Sequence, residues 1–169
     1  MNALLGRHAS PPLLVVLESV EKPGNLGAVL RIADGAGAHG VIVCGQGTDL
    51  FNPNVLRASR GAFFCLPTAE CTPSELMEFL KTEKIRAVAT SPVADTAWNQ
   101  TNFNGPVAII LGTEHDGLSA ELLHCAEATV AIPMLGQGDS LNVATSAAIL
   151  LYEALRQRQT AARPTKESP

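Results

Sequence analysis

The stretch IPMLGQGDSLNVATSAAILLYE, residues 132–153, runs from a polar, glycine-bearing loop straight into a helix with no linker between them. Gly136 and Gly138 let main chain approach a ligand closely, and Ser140 and Asn142 are residue types that open helices by accepting from the first free N–H groups. From there Val143, Ala147, Leu150, Leu151, Ala154 and Leu155 recur at the spacing of one buried helical face. A loop that feeds a helix in this way builds a ligand site largely out of backbone.

Outward from this segment, apolar β-rich runs at 13–17, 41–44, 85–89, 107–111 and 129–132 alternate with helical patterns. That alternation predicts an α/β fold, a mostly parallel sheet flanked by helices, with ligand loops at the carboxyl ends of the strands. The first helix, about 26–36, should bury Leu26, Val29, Leu30 and Ala33. A second starts at Thr72, whose T-x-x-E spacing to Glu75 forms a capping box, and runs to about residue 83. A short one spans 119–125. Residues 1–158 read as one domain, and the polar, proline-containing 159–169, QTAARPTKESP, as a disordered tail.

Composition sets bounds on function. A chain of 169 residues that is 46% hydrophobic suits one domain with a full core. No apolar run reaches transmembrane length and the N-terminus has no export h-region, so a cytoplasmic protein with no membrane partner is expected. Cys44, Cys65, Cys71 and Cys125 are scattered without a C-x-x-C pair and read as reduced and mostly buried. His8, His39, His115 and His124 show no ligand spacing with them, so no metal is expected. Neither a Walker loop nor a dinucleotide fingerprint is present, and Gly35, Gly37, Gly45 and Gly47 read as turn and cap glycines. Trp98 lies in a polar loop, where it anchors the loop or stacks on a base.

Two further segments stand out: EKPGNLGAVLRIADGAG at 21–37 and ILGTEHDGLS at 110–119. With the first stretch they resemble the SpoU (TrmH-like) family of RNA ribose 2′-O-methyltransferases, of the SPOUT superfamily. The family's first motif pairs an Asn with an Arg six residues on, here Asn25 and Arg31. Its second reads LG-S/T-E-x-x-G-L-S, here 111–119, and its third runs from I-P-M to S-L-N-V, here 132–134 and 140–143. NPNVLRASRGAFF, residues 52–64, is similar to the family's R-x-S-x-G-A segment. The resemblance covers roughly 13–158.

The resemblance implies a SPOUT-type α/β knot, a C-terminal deep trefoil knot of a kind that is exceptional in proteins, and a SpoU-type catalytic domain over residues 1–158. It implies a homodimer with the active site near the subunit interface, to which Leu150, Leu151, Tyr152 and Leu155 would contribute. It also implies the cofactor S-adenosyl-L-methionine and transfer of its methyl group to an RNA ribose, ribosomal RNA being slightly favoured over tRNA. On motif match, Gly112, Ile132 and Leu141, then Thr113, Met134 and Gly136, are the cofactor-binding candidates. Arg31, Asn25, Glu114, Ser140 and Asn142 are the catalytic candidates, and Arg31, Arg57 and Arg60 the RNA-binding ones. Arginine ordinarily keeps its proton, so Arg31 reads better as a clamp on phosphate and developing alkoxide than as the base assigned in the family.

Each residue has a plainer reading: Asn25 and Ser140 as helix caps, Arg31 paired with Asp34, Glu114 and His115 exposed in a glycine-bounded turn. A net charge of −4 gives no global field to attract phosphate. The arginines of the motifs, set apart from Glu70, Glu75, Glu78 and Glu83, leave a small local footprint and salt-sensitive affinity. Two alternatives stay open: a non-catalytic RNA-binding or ribosome-assembly protein with the same fold, and a methyltransferase acting on a protein or small molecule. Many members of the family carry an N-terminal RNA-recognition domain, so the chain reads either as a minimal enzyme or as a catalytic fragment.

Overall fold

The computed structural model describes residues 1, 4–6, 10–113 and 116–162. Strands Leu13–Glu18 (β1) and Val107–Leu111 (β6) are buried at every position, as strands must be when a parallel sheet is covered on both faces. Gly40–Cys44 (β2), Thr68–Cys71 (β3), Arg86–Thr90 (β4), Thr96–Ala97 (β5) and Ala128–Ala131 (β7) complete the sheet. Its order is β3-β2-β1-β6-β4-β7-β5, and every pairing is parallel.

Helices Pro23–Gly35 (α1), Pro53–Ser59 (α2), Ala62–Cys65 (α3), Pro73–Thr82 (α4), Ala120–Cys125 (α5) and Val143–Ala161 (α6) cover the two faces. Because strand side chains alternate, Leu13, Val15 and Leu17 of β1 join α1 and α6 in one core, while Leu14 and Val16 join α4 and α5 in the other. The acidic helix α4 therefore lies across the sheet from α1 and its arginine. The first helix buries Leu26, Val29, Leu30 and Ala33 as expected, but starts earlier, with Pro23 in its first turn. The capping box at Thr72 and Glu75 is formed.

Gly27 is where α1 and α2 touch. A Cβ there would lie 2.5 Å from Ala58 Cβ and 2.7 Å from the Val55 carbonyl oxygen, so glycine sets the approach of the two helices. Helix α6 is tied down at its far end. Arg158 donates to the carbonyls of Pro11 (2.6 Å), Pro12 (3.0 Å), Phe103 (3.1 Å) and Gly105 (2.6 Å), and burial pulls its pKa below the ordinary arginine value. Gln157 accepts from Phe103 N–H at 2.7 Å and donates to Thr101 O at 2.9 Å. Two loops that enter β1 and β6 are thus fixed to one helix end.

Several expectations need correction. Gln159, Thr160 and Ala161 are helical, not tail, because α6 continues through good helix formers and Thr160 Oγ1 bonds back to Arg156 O at 2.9 Å; residues 163–169 lie outside the described residues. Leu150 and Leu151 are fully buried, packed under α6 against the sheet, and are closed to any partner; Tyr152 is exposed and Leu155 half-buried. Only Cys44 is buried, Cys71 being half-buried and Cys65 and Cys125 exposed, because the last two end short helices that bury only Ala62 and Leu122. Trp98 begins a 3-10 turn and packs partly against the core. Among the described residues no helix is long and apolar enough to cross a membrane.

Candidate active site

The site lies where strand ends open onto loops. At the carboxyl ends of β4, β6 and β7 a cleft is lined by Thr90, Ser91, Pro92, Leu111, Gly112, Thr113, Gly117, Val130, Ile132, Met134, Asp139, Ser140, Leu141, Val143 and Ser146. Five of the six cofactor candidates line it: Gly112, Thr113, Ile132, Met134 and Leu141. Gly136 does not, and a Cβ there would meet open space, so close backbone approach is not what calls for glycine at that position. Thr90, Ser91 and Pro92 were missed, although the strand-end rule reaches them, since they directly follow the predicted run 85–89.

Gly112 decides the shape of the second motif. A Cβ on it would sit 2.1 Å from Gly117 O, 2.2 Å from Gly117 C and 2.6 Å from Leu118 N. The loop closes on itself through Thr113 N–H to Gly117 O (3.1 Å) and Asp116 N–H to Thr113 Oγ1 (2.9 Å), with Gly117 at a φ of 68°. Glu114 and His115 lie outside the described residues.

A second cleft adjoins the first through Thr113 and Val143 and is otherwise lined by Val20, Glu21, Lys22, Asn25 and Asp116. It opens at the ends of β1 and β6, where the chain's course across the sheet reverses. Asn142 donates from Nδ2 to Asn25 Oδ1 at 3.1 Å, across 117 residues of sequence. Its own Oδ1 accepts from Ala144 N–H at 3.0 Å and caps α6. The starts of α1 and α6 are therefore joined by a side-chain amide pair. The plainer readings of Asn25 and Ser140 as caps fail: Lys22 and Asn142 occupy the cap positions.

The arginines lie elsewhere. Arg31 is exposed on α1 and lines neither cleft, and among the described residues the only ion pair is Arg156 with Glu153, so Arg31 does not pair with Asp34. It follows Gly27 by one helical turn and so shares the side of α1 that meets α2. Arg57 is in the last turn of α2, and Arg60 caps it in the left-handed region at a φ of 51°. Ser59, in the same motif, is fully buried and donates to Leu56 O at 2.9 Å. Among the described residues no three metal-ligating side chains come together.

One supporting residue had no signal in the sequence. Glu18, at the end of β1 and only 6% exposed, accepts from Ser119 N–H at 2.7 Å, holding the return of the second-motif loop to the first strand. It sits inside an apolar run, where the period of a strand gives no warning of a polar role. Replacing it in Glu18→Leu leaves that N–H unpaired and should lower stability by about 1–3 kcal/mol, with Glu18→Gln recovering most of the loss. Urea denaturation of the two variants checks this; equal midpoints would show that the bond contributes nothing.

The sequence model of the SpoU rRNA Methylase family matches residues 12–152. A 23S rRNA (uridine(2479)-2′-O)-methyltransferase of Streptomyces viridochromogenes is 37% identical over 150 residues, 85% of this chain and 52% of that one. A 23S rRNA (guanosine-2′-O-)-methyltransferase RlmB of Ralstonia nicotianae is 35% identical over 159 residues, 94% of this chain and 64% of that one. Among solved structures, an RNA 2′-O ribose methyltransferase superposes with a TM-score of 0.84 at 50% identity, over 90% of this chain and 59% of that one. The SpoU methyltransferase AviRb of Streptomyces viridochromogenes, in complex with AdoMet, superposes with a TM-score of 0.86 at 35% identity, over 91% of this chain and 63% of that one. The chain thus spans between half and two-thirds of the length of these relatives. The match runs through all four motifs and both clefts, and the chain belongs to the SpoU rRNA methylase family.

Proposed function

We propose that the chain binds S-adenosyl-L-methionine in the cleft at the ends of β4, β6 and β7 and methylates a ribose 2′-hydroxyl of RNA, ribosomal RNA in preference to tRNA. The observation that carries this reading is the convergence of the second and third motifs on one largely apolar cleft, with the first motif joined to it through Asn25 and Asn142. The names of the relatives support the choice of ribosomal RNA, and the AdoMet-bound AviRb supports the choice of cofactor.

The lining fits that cofactor. Leu111, Val130, Ile132 and Val143 offer apolar contact for a flat ring, and the main chain around Gly112 offers N–H and C=O groups for its edge; Thr90, Ser91, Ser140 and Ser146 supply hydroxyls for a polar tail. When bound, S-adenosylmethionine would supply an activated methyl carbon on its sulfonium. The remaining work falls to the chain: to place the ribose and to lower the cost of charge on its oxygen. Asn25 orients the ribose from the second cleft with Asn142 bonded to it, and Arg31 clamps the adjoining phosphate and steadies the developing alkoxide. The hydroxyl proton passes to phosphate or water, since a guanidinium holds its own.

Arg31 is exposed and lines neither cleft, which supports a homodimer whose partner brings a cleft to it. The C-terminal trefoil knot accompanies this reading, with the 135–141 loop where α6 emerges from it, and so does a cytoplasmic location. Calorimetric titration with S-adenosylmethionine and S-adenosylhomocysteine tests it, followed by transfer of labelled methyl to ribosomal RNA. About one ligand per protomer and label in ribose are expected. A folded dimer that binds neither ligand would replace this reading with the non-catalytic assembly protein.

A further inference from the structure

Three of the chain's five phenylalanines gather at the start and end of the α2–α3 segment, and two of them face solvent. Phe51 is 69% exposed and Phe64 77%. Between them stands Phe63, edge-on to Phe51 at 5.6 Å and 74° and to Phe64 at 5.3 Å and 89°. Phe63 is packed against the main core, so the outer rings rest on a fixed ring instead of moving freely.

The backbone also fixes them. Phe51 N–H donates to Asp49 Oδ1 at 2.8 Å, Asn52 caps α2 through Asn54 N–H, and Arg60 and Gly61 both take positive φ, 51° and 94°, to turn the chain into α3. Exposed aromatic area held this rigidly has already lost the entropy that a partner would otherwise cost it.

The cluster lies at the same end of the sheet as the clefts. The loop after β2 that carries Phe51 is bound to the loop after β1: Thr48 N–H donates to Val20 O at 2.9 Å, and Thr48 Oγ1 donates to Glu21 O. Val20 and Glu21 line the second cleft. Arg57 in the last turn of α2 and Arg60 at its cap stand between these phenylalanines in the chain, both exposed.

We propose that Phe51 and Phe64 form a stacking platform for unpaired bases of the RNA, beside the cleft that receives its ribose. The inference rests on the RNA reading above and adds the means of holding that RNA. A chain of net charge −4 gains little from its overall field, whereas base stacking on an aromatic ring is insensitive to net charge and tolerant of sequence. The two arginines supply the phosphate contacts that hold the strand over the rings. The exposed arginines that accompany the aromatic rings complement a polyanionic strand, whereas a second copy of the chain, the competing occupant, would show in sedimentation.

Fluorescence anisotropy with a labelled oligoadenylate, and with an RNA duplex as control, tests the platform in the full-length chain. Phe64→Ala and Phe51→Ala should each weaken oligoadenylate binding by roughly tenfold. Duplex binding, melting temperature, sedimentation and affinity for S-adenosylmethionine should be unchanged, and Phe64→Tyr should restore the loss. The slope of log affinity against log salt should stay the same in Phe64→Ala and fall in Arg57→Ala. Unchanged oligoadenylate binding in both alanine variants overturns the platform, as does a change in sedimentation, which would place the rings between copies of the chain. Binding of S-adenosylmethionine without any binding of oligoadenylate overturns the platform alone. Oligoadenylate binding that depends on Phe64, with no titration of S-adenosylmethionine, keeps the platform and overturns the transferase reading.

Discussion

Gly112→Ala should reduce affinity for S-adenosylmethionine by about a hundredfold or more, and should destabilise the fold by an amount at the upper end of the 1–3 kcal/mol typical of overpacking. The added methyl would lie 2.1–2.6 Å from three backbone atoms of Gly117 and Leu118. Backbone cannot rotate away as a side-chain tip can, so the second-motif loop has to open. Opening it breaks the Thr113–Gly117 bridge, and Thr113, Gly117 and Gly112 itself all line the cleft. Gly117→Ala is the informative contrast. Its φ of 68° disfavours alanine, but its Cβ would meet nothing within 4 Å, so only about 1–2 kcal/mol of conformational strain is expected. Calorimetric titration and urea denaturation of both variants separate the two causes. If Gly112→Ala bound S-adenosylmethionine as tightly as the parent chain, the cleft would not be the cofactor site.

Most of the central sheet was legible because its strands are covered on both faces and so read as unbroken apolar runs, as in LLVVL and VAIIL. Strands β3 and β5 were not, because they lie at the sheet edges, where Thr68–Cys71 includes exposed Glu70 and Thr96–Ala97 has only two residues. Helices α2 and α3 were too short for a period to show and are defined instead by the Asn52 cap and the turn at Arg60 and Gly61. In the site, the cleft-lining motif residues could be placed by resemblance, but Gly136 could not be told from Gly112. Both are glycines in loops, and only packing against residue 117 shows which one needs to be. The Asn25–Asn142 pair was beyond reach for a different reason: each residue sits in its own motif, and only the return of α6 to α1 after β7 joins them.

Arg31→Ala should leave stability within about 0.5 kcal/mol of the parent, as surface substitutions do, and leave binding of S-adenosylmethionine unchanged. Methyl transfer should fall roughly 10²–10³-fold, the loss that follows removal of one preorganised donor at a developing oxyanion. The separation is expected because Arg31 is exposed and lines neither cleft, so nothing in the protomer's fold or cofactor pocket depends on it. Arg31→Lys distinguishes how it acts. A clamp that grips phosphate with two parallel N–H groups is poorly replaced by an ammonium point charge, so lysine should recover only part of the rate. Added guanidinium should rescue the alanine variant in proportion to its concentration at neutral pH if the group works in its charged form. A base would need the deprotonated form, so rescue confined to strongly alkaline solution would reverse the assignment. Single-turnover transfer to ribosomal RNA, followed with labelled methyl, measures each of these, and transfer by Arg31→Ala at the parent rate would remove Arg31 from the reaction.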